Sequence, residues 1–353
     1  MIINNKALTP DELKDELEPL PEIRALRDRN KTLVNTIDAI RAEDGKLAML
    51  MNALTAAINP SAPAPNQYKP KAKKHSSPVI PVLHLTDWHM GANQMPDEID
   101  NVNEFTPAIA RDRVLEKLAP RFLDWVELMR SIYTINECVI PVTGDLISGN
   151  IHEELMITNE YPAPVQSIEA AYLLADLIQT LAPHFEKTRV EFIVADNHAR
   201  LTKKPPAKEA GLNSFNYIVG HVANERLAHH DNIEFNIYPF LSQSIEVNNI
   251  RYLCCHGHQV RGWSGFPWYG AERMVAREAL RRMNSPDFSK FSKVLMGHFH
   301  TPLRHPKYLI GGSLSGTDAL DHRESRESTP CQTSWMVHPE HGEFAYMEWD
   351  LSK

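Results

Sequence analysis

Residues 79–91 read VIPVLHLTDWHMG. An unbroken apolar run of this kind marks a strand buried on both faces, as in the parallel sheets of α/β proteins. The run breaks at Asp87-Trp88-His89, two metal-competent side chains one residue apart. Four further apolar runs end in the same way. Residues 138–143 lead into Gly144-Asp145, 189–195 into Asp196-Asn197-His198, 251–255 into His256-Gly257-His258, and 293–296 into Gly297-His298-Phe299-His300. Helical patterns fill the gaps at 107–131, 163–183, 212–229 and 269–283, and short strands return from Tyr308, at 334–338 and 343–349. The alternation predicts an α/β domain over 79–353 with a mixed sheet or two stacked sheets. Its polar clusters fall at strand ends, where open α/β sheets place their ligands.

Taken singly, an Asp-x-His or His-x-His triplet is more often an ordinary polar pair than a ligand set. Five such clusters, each after a strand, are a different matter. Residues two apart on an extended segment point the same way, so Asp87 and His89 can grip one ion, and His298 and His300 can serve a common site. A carboxylate between two ions can bridge them, and Asp145 is the natural candidate. The side-chain oxygen of Asn197 suits a second ion without adding charge. Mixed imidazole and carboxylate ligands fit manganese, iron or zinc, and 17 histidines are a high count for 353 residues.

In this order, Asp87-x-His89, Gly144-Asp145, Asn197-His198, His256-Gly257 and Gly297-His298-x-His300 resemble the calcineurin-like metallophosphoesterase superfamily. The resemblance implies a four-layer α-β-β-α sandwich and two divalent ions, with manganese the first choice and iron, zinc or magnesium the alternatives. It implies Asp87, His89, Asp145 and His300 around one ion, and Asp145, Asn197, His256 and His298 around the other. His198 would stand beside the scissile phosphate as a catalytic acid. Two such ions activate a bridging water for in-line attack on phosphorus. Arg200 is a second catalytic candidate, able to neutralise a phosphate oxygen, and a surface arginine is its equal alternative. Two positions depart from the family pattern. Asp196 stands where a glycine is usual and must take that glycine's backbone, the left-handed region being one that Asp tolerates. Ala199 stands where an acid would orient His198.

Outside this domain, residues 1–58 predict a helical extension. Thr9-Pro10-Asp11-Glu12 reads as a capped helix start, and Pro19 and Pro21 end that helix. From Ile23 to Ile58 apolar residues alternate three and four apart, with Asn30 and Asp44 as polar entries. This is the pattern of a coiled coil that would make a homo-oligomer. An amphipathic helix lying on its neighbours is the other reading. Residues 59–78, rich in Pro and Lys, predict a semi-extended linker. The four cysteines form no CxxC pair, so buried thiols in a reducing cytoplasm are expected. The start lacks the pattern of a secretory signal, and no apolar run approaches a membrane span.

The substrate is less decided. Residues 259–282 mix arginines with aromatics, and Arg261, Trp263, Trp268, Tyr269, Arg273 and Arg277 are candidate contacts to unpaired bases and phosphates. A core-facing loop with a solvated Arg stripe is the alternative. Asp97, Glu98, Asp100 and Glu104 after the first cluster, and Glu153-Glu154 after the second, would repel a nucleic-acid backbone if they line the same cleft. A net charge of -8 excludes non-specific coating of nucleic acid and leaves a local groove open. The run GDLISGNIHEEL (144–155) and the tail, GGSLSGTDAL (311–320) with CQTSWMVHPEHG (331–342), are similar to phage and prophage metallophosphoesterases, related in outline to SbcD-type DNA repair nucleases. A DNA phosphodiesterase, that is a nuclease, is therefore the leading expectation. A phosphomonoesterase or small or cyclic-nucleotide phosphodiesterase is the alternative, with a non-catalytic metal-binding scaffold third.

Overall fold

The computed structural model describes residues 78–352 apart from 152, 205–207, 263–266 and 284–289, together with five helical residues, Asp28, Arg29, Lys31, Thr32 and Asn35. The chain divides into two units, Met1–Ala57 and Ile58–Lys353. The coiled-coil extension and the linker expected before residue 79 lie almost wholly outside the described residues. Apart from those five residues, the described sheets, helices and metal-competent clusters belong to the second unit.

Its strands are β1 (Ile80–His84), β2 (Glu137–Val142), β3 (Lys187–Ile193), β4 (Ile233–Tyr238), β5 (Ser242–Val247), β6 (Ile250–Cys255), β7 (Lys293–Met296), β8 (Leu303–Arg304), β9 (Tyr308–Ile310), β10 (Cys331–His338) and β11 (Gly342–Asp350). Its helices are α1 (Pro107–Asp112), α2 (Ala119–Arg130), α3 (Glu153–Thr158), α4 (Ala163–Leu181), α5 (Phe215–Leu227), α6 (Trp268–Met283) and α7 (Ala319–Arg323). Two mixed sheets result. One has the order β11-β10-β1-β2-β3-β4, the other β5-β6-β7-β9-β8. Strands β1 to β4 run parallel, as do β6, β7 and β9, while β10, β11, β5 and β8 join antiparallel at the flanks.

The sheets share one core. Val82, Val139, Ile193, Trp335 and Val337 of the larger sheet are buried in one cluster with Ile245, Val247, Tyr252, Cys254, Leu295 and Leu309 of the smaller. Each such side chain contributes about 1.5–3 kcal/mol when fully removed from water. On the outer face of the larger sheet, Gly220 of α5 lies against Phe192 and Ile237, and a Cβ there would meet the Phe192 ring at 3.1 Å. On the outer face of the smaller sheet, Ala271, Met274 and Val275 of α6 pack with Leu253, Cys255, Val294 and Tyr308.

Helix starts follow the sequence. Thr106 accepts the Ile109 N–H before Pro107, and Ser214 accepts the Asn216 N–H before Phe215. The single helix expected over 107–131 differs in one respect, because a π-helical stretch, Arg113–Leu118, joins α1 to α2. That local widening carries buried Arg113 inward, where it donates to the carbonyls of Leu314 and Ser315 at 2.9 and 3.0 Å. All four cysteines are free and buried. Among the described residues no helix is long and apolar enough to cross a membrane.

Candidate metal centre

The C-terminal ends of β1, β2, β3, β6 and β7 deliver their loops to one place. The loops are laced together by their backbones: Asp87 N–H donates to Gly144 O at 3.1 Å, His89 N–H to Asp145 O at 3.0 Å, and Gly297 N–H to His256 O at 2.9 Å. Two glycines permit the close approach. A Cβ on Gly297 would meet Thr86 Oγ1 at 2.0 Å and Asp87 Oδ2 at 2.3 Å, and Gly144 has φ 95° with Asp196 and His256 against it.

Seven side chains expected as ligands meet there. One group is Asp87, His89 and His300, and another is Asp145, His256 and His298, the ligand atoms within each lying within 4.8 Å of one another. His256 Nε2 is 2.9 Å from both Asp145 Oδ2 and Asn197 Oδ1. His89 Nε2 and His300 Nε2 are 3.1 Å apart, each about as far from Asp87 Oδ1, at 3.9 and 3.8 Å. Asp145 also groups with His89 and His198, so it stands between the two sets.

The backbone is strained where the ligands are. Asp87, His89, Asp145, His298 and His300 all have positive φ, from 49° to 73°. A non-glycine residue held there costs of order 1–3 kcal/mol, and such residues persist at functional sites because the surroundings over-determine them. The outer nitrogens of two histidines are fixed as metal ligands require. His256 Nδ1 donates to Thr143 O at 2.8 Å, and His300 Nδ1 bonds Asp321 Oδ2 at 2.9 Å. Both rings thereby turn Nε2 inward. The donor set, two carboxylates, four imidazoles and an amide oxygen, fits two divalent ions of borderline hardness.

The charge of the cluster suits cations. Burial pushes the His256 imidazole down, but the facing Asp145 carboxylate outweighs it and lifts the group to about 10. Burial likewise opposes protonation of His300, and its contacts with Asp321 and Asp87 raise it to about 9. Burial and neighbouring imidazoles hold His89 and His298 well below the usual range. Near neutral pH, then, protons on His256 and His300 take the places of cations. Divalent-ion binding at about pH 7 should release about two protons and tighten as pH rises toward the lifted imidazole values. Titration calorimetry in two buffers of different ionisation heat reads the number directly, and zero proton release would count against these ligands.

Departures from expectation are informative. Asp196 does not take the left-handed backbone, being absent from the positive-φ residues. Its carboxylate is used instead: Oδ2 accepts the Asp145 N–H at 2.7 Å and an Asn216 amide hydrogen, and Oδ1 accepts the Ala199 N–H at 2.8 Å. Burial, with Asp145 beside it, pushes this carboxyl up to about 8. The missing acid at Ala199 is made good by the backbone, since His198 Nδ1 donates to Ser148 O at 2.6 Å. Sequence reasoning missed Asp196, Ser148 and Asp321 as supports. The sequence signal nearest to the last of these is Asp318, an N-cap residue type three positions before it.

The centre opens into a cleft of about 920 Å³. His198 and Asn197 line it, as do Glu98, Glu154, Leu155, Asp318, Leu320 and Arg323. Arg200 turns away. Its guanidinium donates to the carbonyls of Asn197, Thr202 and Lys203 at 2.9 to 3.0 Å, closing its own loop rather than facing phosphate. Of the expected substrate contacts, Trp263 lies outside the described residues. Arg261, Trp268, Tyr269, Arg273 and Arg277 are exposed and do not line the cleft, although their neighbours Val260 and Gly262 do.

No protein-family model matches the chain, and no curated protein does. Among solved structures it is similar to a novel archaeal phosphodiesterase, at 8% identity and a TM-score of 0.32 over 76% of this chain and 99% of that one. It is also similar to Vps29 of Chaetomium thermophilum, at 12% identity and a TM-score of 0.26 over 76% of this chain and 96% of that one. A third is the sulfate thiohydrolase SoxB of Thermus thermophilus, at 10% identity and a TM-score of 0.25 over 80% and 58% of the respective chains. At such TM-scores these likenesses carry no functional weight, and the side-chain geometry of the centre has to carry it.

Proposed function

We propose that the protein is a two-metal phosphodiesterase acting on DNA. The observation that carries the hydrolase reading is the convergence of Asp87, His89, Asp145, Asn197, His256, His298 and His300 on two adjoining ion-sized positions with Asp145 between them. The packing of α5, the two sheets and α6 supports a four-layer α-β-β-α order. Two divalent ions at such a centre supply Lewis acidity toward a phosphoryl group and lower the pKa of water.

The chain's own residues orient and move protons around that chemistry. His198 donates through Nδ1 to Ser148 O, which fixes its tautomer and leaves Nε2 directed to the cleft, 3.9 Å from Asp145 Oδ2. From there, when protonated, it can donate to the leaving oxygen. Thr86 Oγ1 and the His298 N–H hold the Asp87 carboxylate at 2.7 and 2.9 Å. Free buried cysteines are in keeping with a reducing cytoplasm. Self-association through residues 1–58 belongs to the same proposal.

DNA is favoured by α6, which follows the cleft-lining Gly262 in the chain and exposes Tyr269, Arg273 and Arg277 on one face, with Trp268 exposed at its start. Stacking rings and phosphate-pairing arginines suit an unpaired strand. The second reading, a small phosphoester, is favoured by Glu98 and Glu154 on the cleft wall, which repel a polyanion. Replacing Arg273 and Arg277 together by Ala separates them. A nuclease should lose on the order of tenfold or more on single-stranded DNA, most at low salt, and keep its rate on bis-p-nitrophenyl phosphate. Unchanged DNA cleavage would remove α6 from the substrate path and leave the small-ester reading.

A further inference from the structure

Beside the two ligand groups lies a third cluster, His300, Asp318 and Asp321. Its atoms are close enough to hold an ion of their own, but their bonds are already assigned. Asp321 Oδ2 meets His300 Nδ1 at 2.9 Å, and Asp321 Oδ1 meets the Arg326 guanidinium at 3.0 Å. Asp318 Oδ1 accepts the Asp321 N–H at 2.8 Å as the N-cap of α7. Arg326 N–H closes the turn onto Asp321 O at 2.8 Å. Asp321 is 5% exposed, so neither oxygen is left to water.

We propose that Asp321, braced by Arg326 and aimed by the α7 cap, is a positioning residue for the metal ligand His300. The proposal rests on the two-metal reading above. The carboxylate accepts from Nδ1, which forces the tautomer whose Nε2 carries the lone pair. That Nε2 faces Asp87 and His89. Without the contact the ring can rotate about its bond to Cβ or take the other tautomer, and the first ion loses a ligand in the right state. Partners of this kind change metal affinity by about 10–100-fold when removed.

The location makes the device more than local bracing. Helix α7 also forms one wall of the cleft through Asp318, Ala319, Leu320 and Arg323, and Ala319 N–H is held by Gln94 Oε1 at 2.9 Å. The element that sets the His300 ring is therefore also part of the cleft wall. Gln94 ties it to the loop following Asp87 and His89.

The test uses the full chain stripped of metal and titrated with Mn2+ alone, free ion being read by electron paramagnetic resonance, with a thermal melt of each ion-free protein alongside. Wild type should bind two ions. Asp321→Ala should weaken one of them by about 10–100-fold, while Asp321→Asn, whose amide oxygen can still accept from Nδ1 although its NH2 then faces the Arg326 guanidinium, should recover part of the loss. Arg326→Ala, which leaves the His300 contact in place, should weaken the same ion by less, and it serves if the Ala variant at 321 does not fold. Wild-type binding of both ions by Asp321→Ala overturns the proposal, and so do equal losses in the Ala and Asn variants. If wild type itself binds no pair of ions, the two-metal reading fails first.

Discussion

Asp145→Asn should lower kcat/KM on a phosphodiester by on the order of 10^3-fold, because removing metal-centred charge stabilisation worth several kcal/mol costs about that much. The residue is 1% exposed and belongs to both the His89–His198 group and the His256–His298 group. Its Oδ2 lies 2.9 Å from His256 Nε2 and 3.9 Å from His198 Nε2, between the two groups, whereas an amide that keeps its oxygen at the Oδ1 position presents hydrogens there. Its Oδ1 also accepts the His198 N–H at 3.2 Å, a contact the amide oxygen preserves, so the loop should keep its shape. Steady-state kinetics with metal analysis check both halves. A loss of less than tenfold, with two ions still bound, would mean that Asp145 is not shared.

The second large effect is on stability. Asp196→Ala removes the acceptor for the Asp145 N–H, the Ala199 N–H and the Asn216 amide. A buried donor left without a partner costs about 1–3 kcal/mol. Three of them should cost at least about 3 kcal/mol, or about 6 °C or more in Tm for a domain of this size. Asp196→Asn keeps one acceptor and should fall between. Restoring the usual glycine should behave like the Ala variant, because what matters at this position is the carboxylate and not the backbone. A melt within about 1 °C of wild type for Asp196→Ala would refute that.

That reversal shows where sequence reasoning reaches and where it stops. The strands that carry ligands were legible because β1, β2, β3, β6 and β7 are covered on both faces and therefore read as apolar runs. Their ends were legible because a ligand pair must follow at once. Strands β4 and β5 were not. They lie at the edges of their sheets, only half-buried, and IEFNIY and SQSIEV carry no long apolar run. Helix α3 escaped notice because it buries none of its residues. Asp321 was hidden for a different reason. A residue that orients a ligand needs only proximity in space, and here it comes 21 positions later in the chain. Likewise, an exposed arginine reads the same in a sequence whether it meets phosphate or water, and Arg200 proves to serve its own loop.

Asp196 and Ala199 bear on whether the site turns over. Both departures from the expected motif leave the ligands in place and are met by local hydrogen bonds, Asp196 to the β2 loop and Ser148 O to His198. These contacts are different supports for the same expected ligands, which favours the proposed hydrolase over a scaffold.

Metal-dependent phosphodiester hydrolysis is tested most simply on bis-p-nitrophenyl phosphate, with the metal-stripped protein assayed with and without added Mn2+, beside His89→Ala. A two-metal phosphodiesterase should show hydrolysis that appears with the ion and disappears in the variant. Two bound ions with no hydrolysis in wild type, or equal rates in wild type and variant, would contradict it.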